Sequence, residues 1–386
     1  MLLDSLQGTL PEIPNALNSH PVLNSTDKIW AYLRRLLLAH APSGGSCLPG
    51  AIADDIASIA GDLGLAERFE YNLLRTGNPA VWLGAQKPTA DAIVVTHMDR
   101  PTFRVRSLEK ETLYPICANR FPDGVYRVGA KSLRFEQGKL TVGARGSLIS
   151  ERNNGQETLR FKGQQGELAW HDFITMDVDP QLNGVNITAS GLDNCLGTLV
   201  VLLTAALLKA IEEKLVQHER CCLFVFTDLE EGPPDAFFGH GAARLTHALP
   251  PPTFGCIVAD AQTAGPGYMP VPGQGTSHGF ASSNGRGSVV PPHYQALAVH
   301  LSEEMNVARP ETVQMNFGYI SRSDDMALGR WTRILALSGP PMQDAHTGHE
   351  SANLRDIQAG VWWLSHFIPA VLNVVPEITR LYALGR

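Results

Sequence analysis

Five short segments of this 386-residue chain contain the residue types that a two-metal hydrolase needs: Thr96-His97-Met98-Asp99, Leu192-Asp193-Asn194-Cys195-Leu196-Gly197, Glu230-Glu231-Gly232, Val258-Ala259-Asp260 and His346-Thr347-Gly348-His349-Glu350. A pair of divalent ions about 3.5–4 Å apart needs one bridging carboxylate, further His and carboxylate ligands, and an unligated base for the attacking water. In a His-x-Asp triplet the imidazole can bind metal while a carboxylate fixes its tautomer, which makes His97 a candidate ligand with Asp99 behind it. Glu230 and Glu231 are adjacent, so one can ligate while the other holds the water's proton. Asp193, Asp260 and either His346 or His349 complete a donor set suited to borderline metals such as zinc or cobalt.

Each segment alone has a plainer role. An Asp ahead of an apolar helix is a favoured N-cap, paired acids at a loop start are commonly solvated, and a His near a strand end is more often a hydrogen-bonded loop residue. Their shared placement carries the argument. Ala92-Ile93-Val94-Val95 is a continuous apolar run of the kind buried in a parallel sheet, so His97 stands just past its C-terminal end. Ligand sites of open α/β sheets gather at that edge. Strands predicted over 222–226 and 256–258 bring Glu230, Glu231 and Asp260 out in the same position, and Asp193 opens a long apolar helix.

Helices are predicted over 30–39, 51–63, 196–215, 242–246, 294–305 and 353–367, with Pro42-Ser43-Gly44-Gly45 breaking the chain after the first. Beyond Asp99 the texture changes to short alternating runs, 132–135 and 139–142, set off by the turn residues Glu136-Gln137-Gly138 and Asn153-Asn154-Gly155. The pattern predicts a small β domain over residues 101–185, inserted into an α/β catalytic domain made of 1–100 and 186–386. Residues 263–292 are rich in Gly and Pro, which suggests active-site loops.

Composition narrows the function further. With 44% hydrophobic residues the chain can bury a sizeable core, and its net charge of −7 argues against a general nucleic-acid binder. The charge is uneven: residues 101–162 hold 12 Lys+Arg and 6 Asp+Glu, a net of +6, so the rest carries −7 minus 6, or −13. The acidic part contains the five segments, and such a field favours metal ions and cationic substrates. The N-terminal residues 1–21 lack the basic, then apolar, pattern of a secretory signal, and the apolar run 196–208 is too short to span a bilayer. A cytoplasmic protein with no membrane partner is expected. The six cysteines, Cys47, Cys117, Cys195, Cys221, Cys222 and Cys256, form no Cys-x-x-Cys pair and are expected to be reduced and mostly buried.

Taken together, the motifs resemble the TET-type, or deblocking and glutamyl, aminopeptidases, peptidase family M forty-two. The likeness covers most of the chain and rests on Pro42-Ser43-Gly44, the His-x-Asp triplet, Leu-Asp-Asn-x-x-Gly, Glu-Glu-Gly followed by Gly241-Ala242, Ser323-Asp324, and His346-Thr-Gly-His-Glu350 followed by Leu354-Arg355-Asp356. The resemblance implies a mixed central sheet flanked by helices, of the zinc-peptidase type, with an inserted small β-barrel or PDZ-like domain that mediates homo-oligomerisation, from dimers up to dodecamers. It implies two divalent ions per subunit, zinc with cobalt or manganese as alternatives. Asp193 would bridge them, His97 and Asp260 would complete one shell, and Glu231 and His346 the other. Glu230 would be the general base and Asp99 the partner of His97, acting on peptides with a free N-terminus. The chain departs from the family at Cys195, where Arg is usual, at Gly232-Pro233-Pro234, where Val-Gly usually follows the two Glu, and at Gly44-Gly45-Ser46-Cys47, which lacks an acidic residue. Two other classes share parts of this inventory. Aminoacylase- or carboxypeptidase-type two-metal amidases use a similar set, but their inserted domain follows the Glu-Glu motif instead of preceding Asp193. A metal-binding homologue without turnover would keep the ligands alone.

Overall fold

The computed structural model describes residues 2–117, 119–232, 239–264, 270–283, 287–317, 322–375 and 378. Four apolar strands, Cys221–Thr227, Ala92–His97, Gly255–Ala259 and Ile334–Gly339, lie side by side and parallel at its centre. Every residue in them is buried, because helices cover both faces of the sheet. On one face Ala92, Val94, Phe224, Phe226 and Ile257 join the core formed by helices Thr26–Leu38, Leu192–Leu208 and Leu354–Val371. On the other, Ile93, Val95, Leu223, Val225 and Val258 meet Ala242, Leu245 and Leu328. An unbroken apolar run whose alternate residues feed two cores is what a doubly covered parallel strand requires, and each large side chain so buried stabilises the fold by roughly 1.5–3 kcal/mol.

Antiparallel and parallel edge strands widen this centre into the mixed sheet expected from the sequence. Ala80–Gly84 and Phe69–Glu70 extend it beyond Cys221–Thr227, while Thr276–Gly279 runs antiparallel to Ile334–Gly339 and pairs in parallel with Val313–Asn316. Residues 263–292 are therefore not all loop. Residues 265–269 and 284–286 lie outside the described ones, but Thr276–Gly279 is a fully buried strand. Two of its polar side chains are tied internally: Ser277 Oγ bonds to Gln262 Oε1, and Trp363 Nε1 donates to His278 Nδ1 at 3.0 Å, while Thr276 Oγ1 and His278 Nε2 are buried without a hydrogen-bond partner.

The helix expected over 196–215 begins at Leu192, passes through a 3-10 turn at Lys209–Ile211 and resumes as Glu212–Gln217. By length and composition Leu192–Gln217 could cross a membrane, yet 83% of its most apolar stretch is buried in the chain's own core. Two helices that the sequence reading did not assign, Leu2–Thr9 and Glu12–Ser19, add Leu3, Leu6, Ile13 and Leu17 to the same core, with Leu10 from the link between them. The first is capped by Glu304, whose carboxylate accepts from the backbone N–H groups of Leu2 and Leu3 at 3.1 and 2.6 Å.

Six strands close into an antiparallel barrel in the order Phe103–Ser107, Thr112–Pro115, Gln156–Gly166, Lys139–Asn153, Gly124–Glu136, Phe173–Met176. The alternating runs noted in the sequence form the ends of its longest hairpin, where Phe135 pairs with Leu140. Phe103, Leu113, Phe121, Leu148, Phe161 and Ile174 fill it, and Leu133 and Leu140 pack against Ala51 outside it. The Leu140 N–H also donates to Pro49 O at 2.7 Å, so the barrel is seated on the α/β part by both apolar and backbone contacts. A separate five-stranded sheet pairs Asn186–Ala189 with Glu350–Asn353, with Ala189 opposite Glu350. That pairing brings the segment entering Asp193 beside the segment leaving His346.

Candidate metal centre

All seven predicted site residues converge at the C-terminal edge of the central strands. His97 ends its strand, 1% exposed, with Nε2 lying 3.1 Å from Asp193 Oδ1, 3.4 Å from Asp260 Oδ1 and 3.8 Å from Glu230 Oε2. His346 Nε2 lies 3.4 Å from Asp193 Oδ2 and 3.0 Å from Glu231 Oε1. The two oxygens of Asp193 thus face two different imidazoles. Of the two histidines between which the sequence pattern did not choose, His346 enters the cluster, and His349 is exposed.

The backbone around Asp193 explains how its carboxylate is kept available. Gly191 has a positive φ of 84°, the Asp193–Asn194 peptide is cis, and both residues have non-helical dihedrals. Asn194 caps the helix in place of Asp193: its Oδ1 accepts from the Gly197 N–H at 3.0 Å, and its side-chain amide donates to Ala259 O and Thr96 Oγ1 at 2.9 and 3.0 Å. Gly197 is obligatory here, since a Cβ would sit 2.4 Å from Asn194 Oδ1 and 2.7 Å from Ala259 O. Glu350 ties the Asp193 segment to His346 by accepting from the N–H groups of Leu192, Asp193 and His346 at 2.6, 3.3 and 2.9 Å.

Asp99 does the equivalent work for the paired acids. Its carboxylate accepts from the N–H groups of Glu230 and Glu231, both at 3.1 Å, and from Ser43 Oγ at 2.5 Å. The ring of His97 is oriented instead by the Asp99 carbonyl oxygen, 3.2 Å from Nδ1, with the carboxylate farther off at 3.7 Å. Leu229 and His346 take left-handed dihedrals, φ 61° and 62°, which are uncommon outside glycine and recur at functional sites. Leu229 turns the chain into Glu230, and the Gly232 N–H closes the turn on Glu230 O at 2.7 Å; Pro233 and Pro234 lie outside the described residues.

The cluster is strongly acidic. Among the described residues no Lys or Arg pairs with Asp193, Glu230, Glu231 or Asp260. Burial first, then the neighbouring Glu231 and Asp260, hold the Glu230 carboxyl well above its ordinary range despite His97, and burial raises Asp260 as well. Burial alone would also raise Asp193, but hydrogen bonds from His346 and His97 outweigh it and hold Asp193 low. Both imidazoles are raised, because the surrounding carboxylates overcome the burial that would lower them. Glu231 Oε1 and Asp260 Oδ1 are buried and have no hydrogen-bond partner. Such orphaned oxygens are costly, and divalent cations among these nitrogen and oxygen donors would satisfy them. The residues present therefore fit metal ions.

Sequence reasoning gave no role to three residues at this site. Cys117, from the barrel, places Sγ 2.8 Å from Glu231 Oε2 and 3.9 Å from His346 Nδ1. Asp324, in the Ser323-Asp324 motif, is fully buried, accepts from Thr227 Oγ1, and is pushed by burial to about 7. Glu350 was visible only as part of the His346 segment. Cys195, in contrast, is structural: it accepts from Arg100 Nη2 at 3.1 Å, and the same guanidinium donates to Leu37 O at 2.8 Å.

No protein-family model matches the sequence, and no curated protein matches it. Solved structures do match. A TET aminopeptidase from a marine sediment archaeon of the Thaumarchaeota aligns with a TM-score of 0.69 at 14% identity, over 92% of this chain and 99% of that one. The Pyrococcus horikoshii TET1 peptidase, which can assemble into a tetrahedron or a large octahedral shell, aligns at 0.63 and 15% identity, over 88% and 98%. A Thermotoga maritima structure named as an endoglucanase aligns at 0.60 and 18% identity, over 91% and 99%. Sheet, helices and barrel alike, this chain has the fold of the TET aminopeptidases that its motifs resemble.

Proposed function

We propose that this protein is a metal-dependent aminopeptidase that uses two divalent ions, zinc with cobalt or manganese as alternatives, to hydrolyse the first peptide bond of substrates with a free N-terminus. The observation that carries this reading is the Asp193 carboxylate, with Oδ1 3.1 Å from His97 and Oδ2 3.4 Å from His346. His97, Asp193 and Asp260 would hold one ion; Asp193, Glu231 and His346 would hold the other. When bound, such ions polarise a carbonyl and lower the pKa of water.

The protein's own groups do the rest. Glu230, its carboxyl raised by burial, takes the water's proton at Oε2 and returns it to the departing amine. Asp99 holds Glu230 and Glu231 in register through their backbone N–H groups. The acid-rich walls favour a cationic amino terminus over a carboxylate. The barrel strands, Phe103 to Met176, fall between His97 and Asp193 in the chain, the order that separates this reading from an aminoacylase or carboxypeptidase. A glycosidase would need two carboxyls facing each other across a sugar, about 5–9.5 Å apart; here His97, Glu230 and Asp260 offer donor atoms all within 4.8 Å of one another.

On this reading residues 101–185 form the inserted domain and 1–100 with 186–386 the catalytic one. The barrel's exposed Tyr114, Val125, Phe135 and Trp170 supply apolar surface for assembly with further copies of the chain. Elemental analysis paired with hydrolysis of aminoacyl chromogenic substrates, before and after chelation, tests the function. Two ions per chain and a chelator-sensitive activity are expected. Glu230→Gln should keep its metal and lose turnover by about 10²–10⁴-fold; unchanged turnover, or activity indifferent to chelation, would reject the proposal.

A further inference from the structure

The sulfur of Cys117 lies inside the cluster but is used by none of the steps above. It belongs to the loop that follows barrel strand Thr112–Pro115, where the Ile116 N–H donates to Thr102 O at 2.8 Å and anchors the backbone next to it. Cys117 is 6% exposed, and Cys117, Glu231 and His346 each offer one donor atom, all within 4.8 Å of one another. A second, independent observation points to a ligand at the same spot. Glu231 is 1% exposed: its Oε2 takes the Cys117 thiol at 2.8 Å, and its Oε1, 3.0 Å from His346 Nε2, accepts no hydrogen bond, while Cys117 Sγ lies 3.9 Å from the other nitrogen of that ring, Nδ1.

Resting on the two-metal reading, we propose that Cys117 is a protein ligand of the ion held by Asp193, Glu231 and His346, so that the barrel supplies a sulfur donor to one of the two positions. On ligation one sulfur–metal bond forms and the S–H proton passes to solvent. The two positions then differ in kind. His97, Asp193 and Asp260 offer nitrogen and oxygen only, whereas the other position adds a soft thiolate that favours zinc or cobalt over magnesium or manganese. The ion at that position also ties the barrel loop to the catalytic sheet.

Cobalt loading of the full-length protein tests this without recourse to activity. A thiolate on cobalt gives a sulfur-to-metal charge-transfer absorption in the near ultraviolet. The band is expected in the wild type and in Cys195→Ser, whose thiol faces Arg100, and should vanish in Cys117→Ser together with an affinity loss of about tenfold or more for one ion. Two bound cobalt ions with no band in the wild type would overturn the thiolate and leave the two-metal reading standing. Failure of the wild type to bind cobalt at all would overturn both. Should Cys117→Ser not fold, X-ray absorption of the zinc-loaded wild type decides the matter: a sulfur neighbour at about 2.3 Å supports the ligand, and only nitrogen and oxygen at about 2.0–2.2 Å rejects it.

Discussion

On the two-metal reading Asp193 must offer one oxygen to each ion, and the local structure keeps both oxygens clear of the helix start, facing only the imidazoles of His97 and His346. Asn194 takes over the cap that an acid in this place would ordinarily provide, and Glu350 absorbs the backbone N–H groups of Leu192 and Asp193. Asp99 applies the same logic to the paired acids, since its two oxygens accept separately from Glu230 and Glu231. Asp99→Asn should therefore do more than remove a charge, because one amide hydrogen pair would face a backbone N–H. Metal affinity or turnover is expected to fall about 10- to 100-fold, as read by metal titration and by kcat on an aminoacyl substrate; wild-type values for both would show that the carboxylate is dispensable. Most of the candidate residues were legible in the sequence because four of the five segments follow or lie close to a strand end or a helix start with their ligand-type side chains intact; His346 was separated from His349 only by the family resemblance. Cys117 was not. It comes from the barrel, 114 residues before Glu231, and no local pattern announces a contact made only when the barrel packs on the α/β part.

At the level of elements, strands covered on both faces were the easiest to read, and those stabilised by other means were missed. Ala92–His97, Cys221–Thr227 and Gly255–Ala259 are nearly unbroken apolar runs. Thr276–Gly279 is as deeply buried, but it is held by ladder bonds and by the Gln262 and Trp363 contacts, so its composition reads as loop. The short N-terminal helices were obscured by Pro11 and Pro14 in the sequence, although their leucines enter the main core. The start of helix Leu192–Leu208 offers a direct test of how element packing sustains the site. In Gly197→Ala the new methyl would press on Asn194 Oδ1 and Ala259 O at 2.4 and 2.7 Å, and backbone on one side leaves little room for relief. Such overpacking costs about 1–3 kcal/mol. The expected result is a lower urea midpoint together with weakened metal binding, since the displaced Asn194 also sets Asp193. A loss of stability with full metal affinity would separate the helix start from the centre.

For the whole molecule, assembly and ion binding make separate predictions. If the barrel carries the contacts between copies, replacing exposed Trp170 and Val125 with Glu should shift sedimentation towards smaller species while each chain keeps its metal; an unchanged profile would place the contacts elsewhere. The acid cluster predicts how the metal-free chain responds to pH. Burial pushes Asp324 up to about 7 and Glu350 up to about 8 in the cluster, and Asp356, which faces the Gly273 and Gly275 N–H groups and Glu311 instead, up to about 7. A carboxyl that stays neutral when folded but ionises when unfolded contributes stability that is complete below its unfolded pKa and is lost as pH rises through its folded value. His97, raised by Glu230, Asp193 and Asp260, and His346, raised by Glu231 and Asp193, act in the same direction. His278 and His366, buried neutral and lowered to about 3 and about 4 from 6.5, oppose the trend, but only below about 6.5 where the unfolded imidazoles charge. Between about pH 6.5 and 8, then, the metal-free chain should lose stability, by up to about 1.4 kcal/mol per pH unit for each titrating group. Bound cations would compensate the ionised carboxylates of the cluster but not Asp356, and metal at a concentration 100 times Kd adds about 2.7 kcal/mol, so the loaded chain should show a flatter profile over the same interval. Denaturation midpoints measured across that interval, with chelator and with zinc, separate the two curves. A metal-free chain that grows more stable from pH 6.5 to 8 would mean that these carboxyls are already ionised in the folded state and that something other than metal balances them.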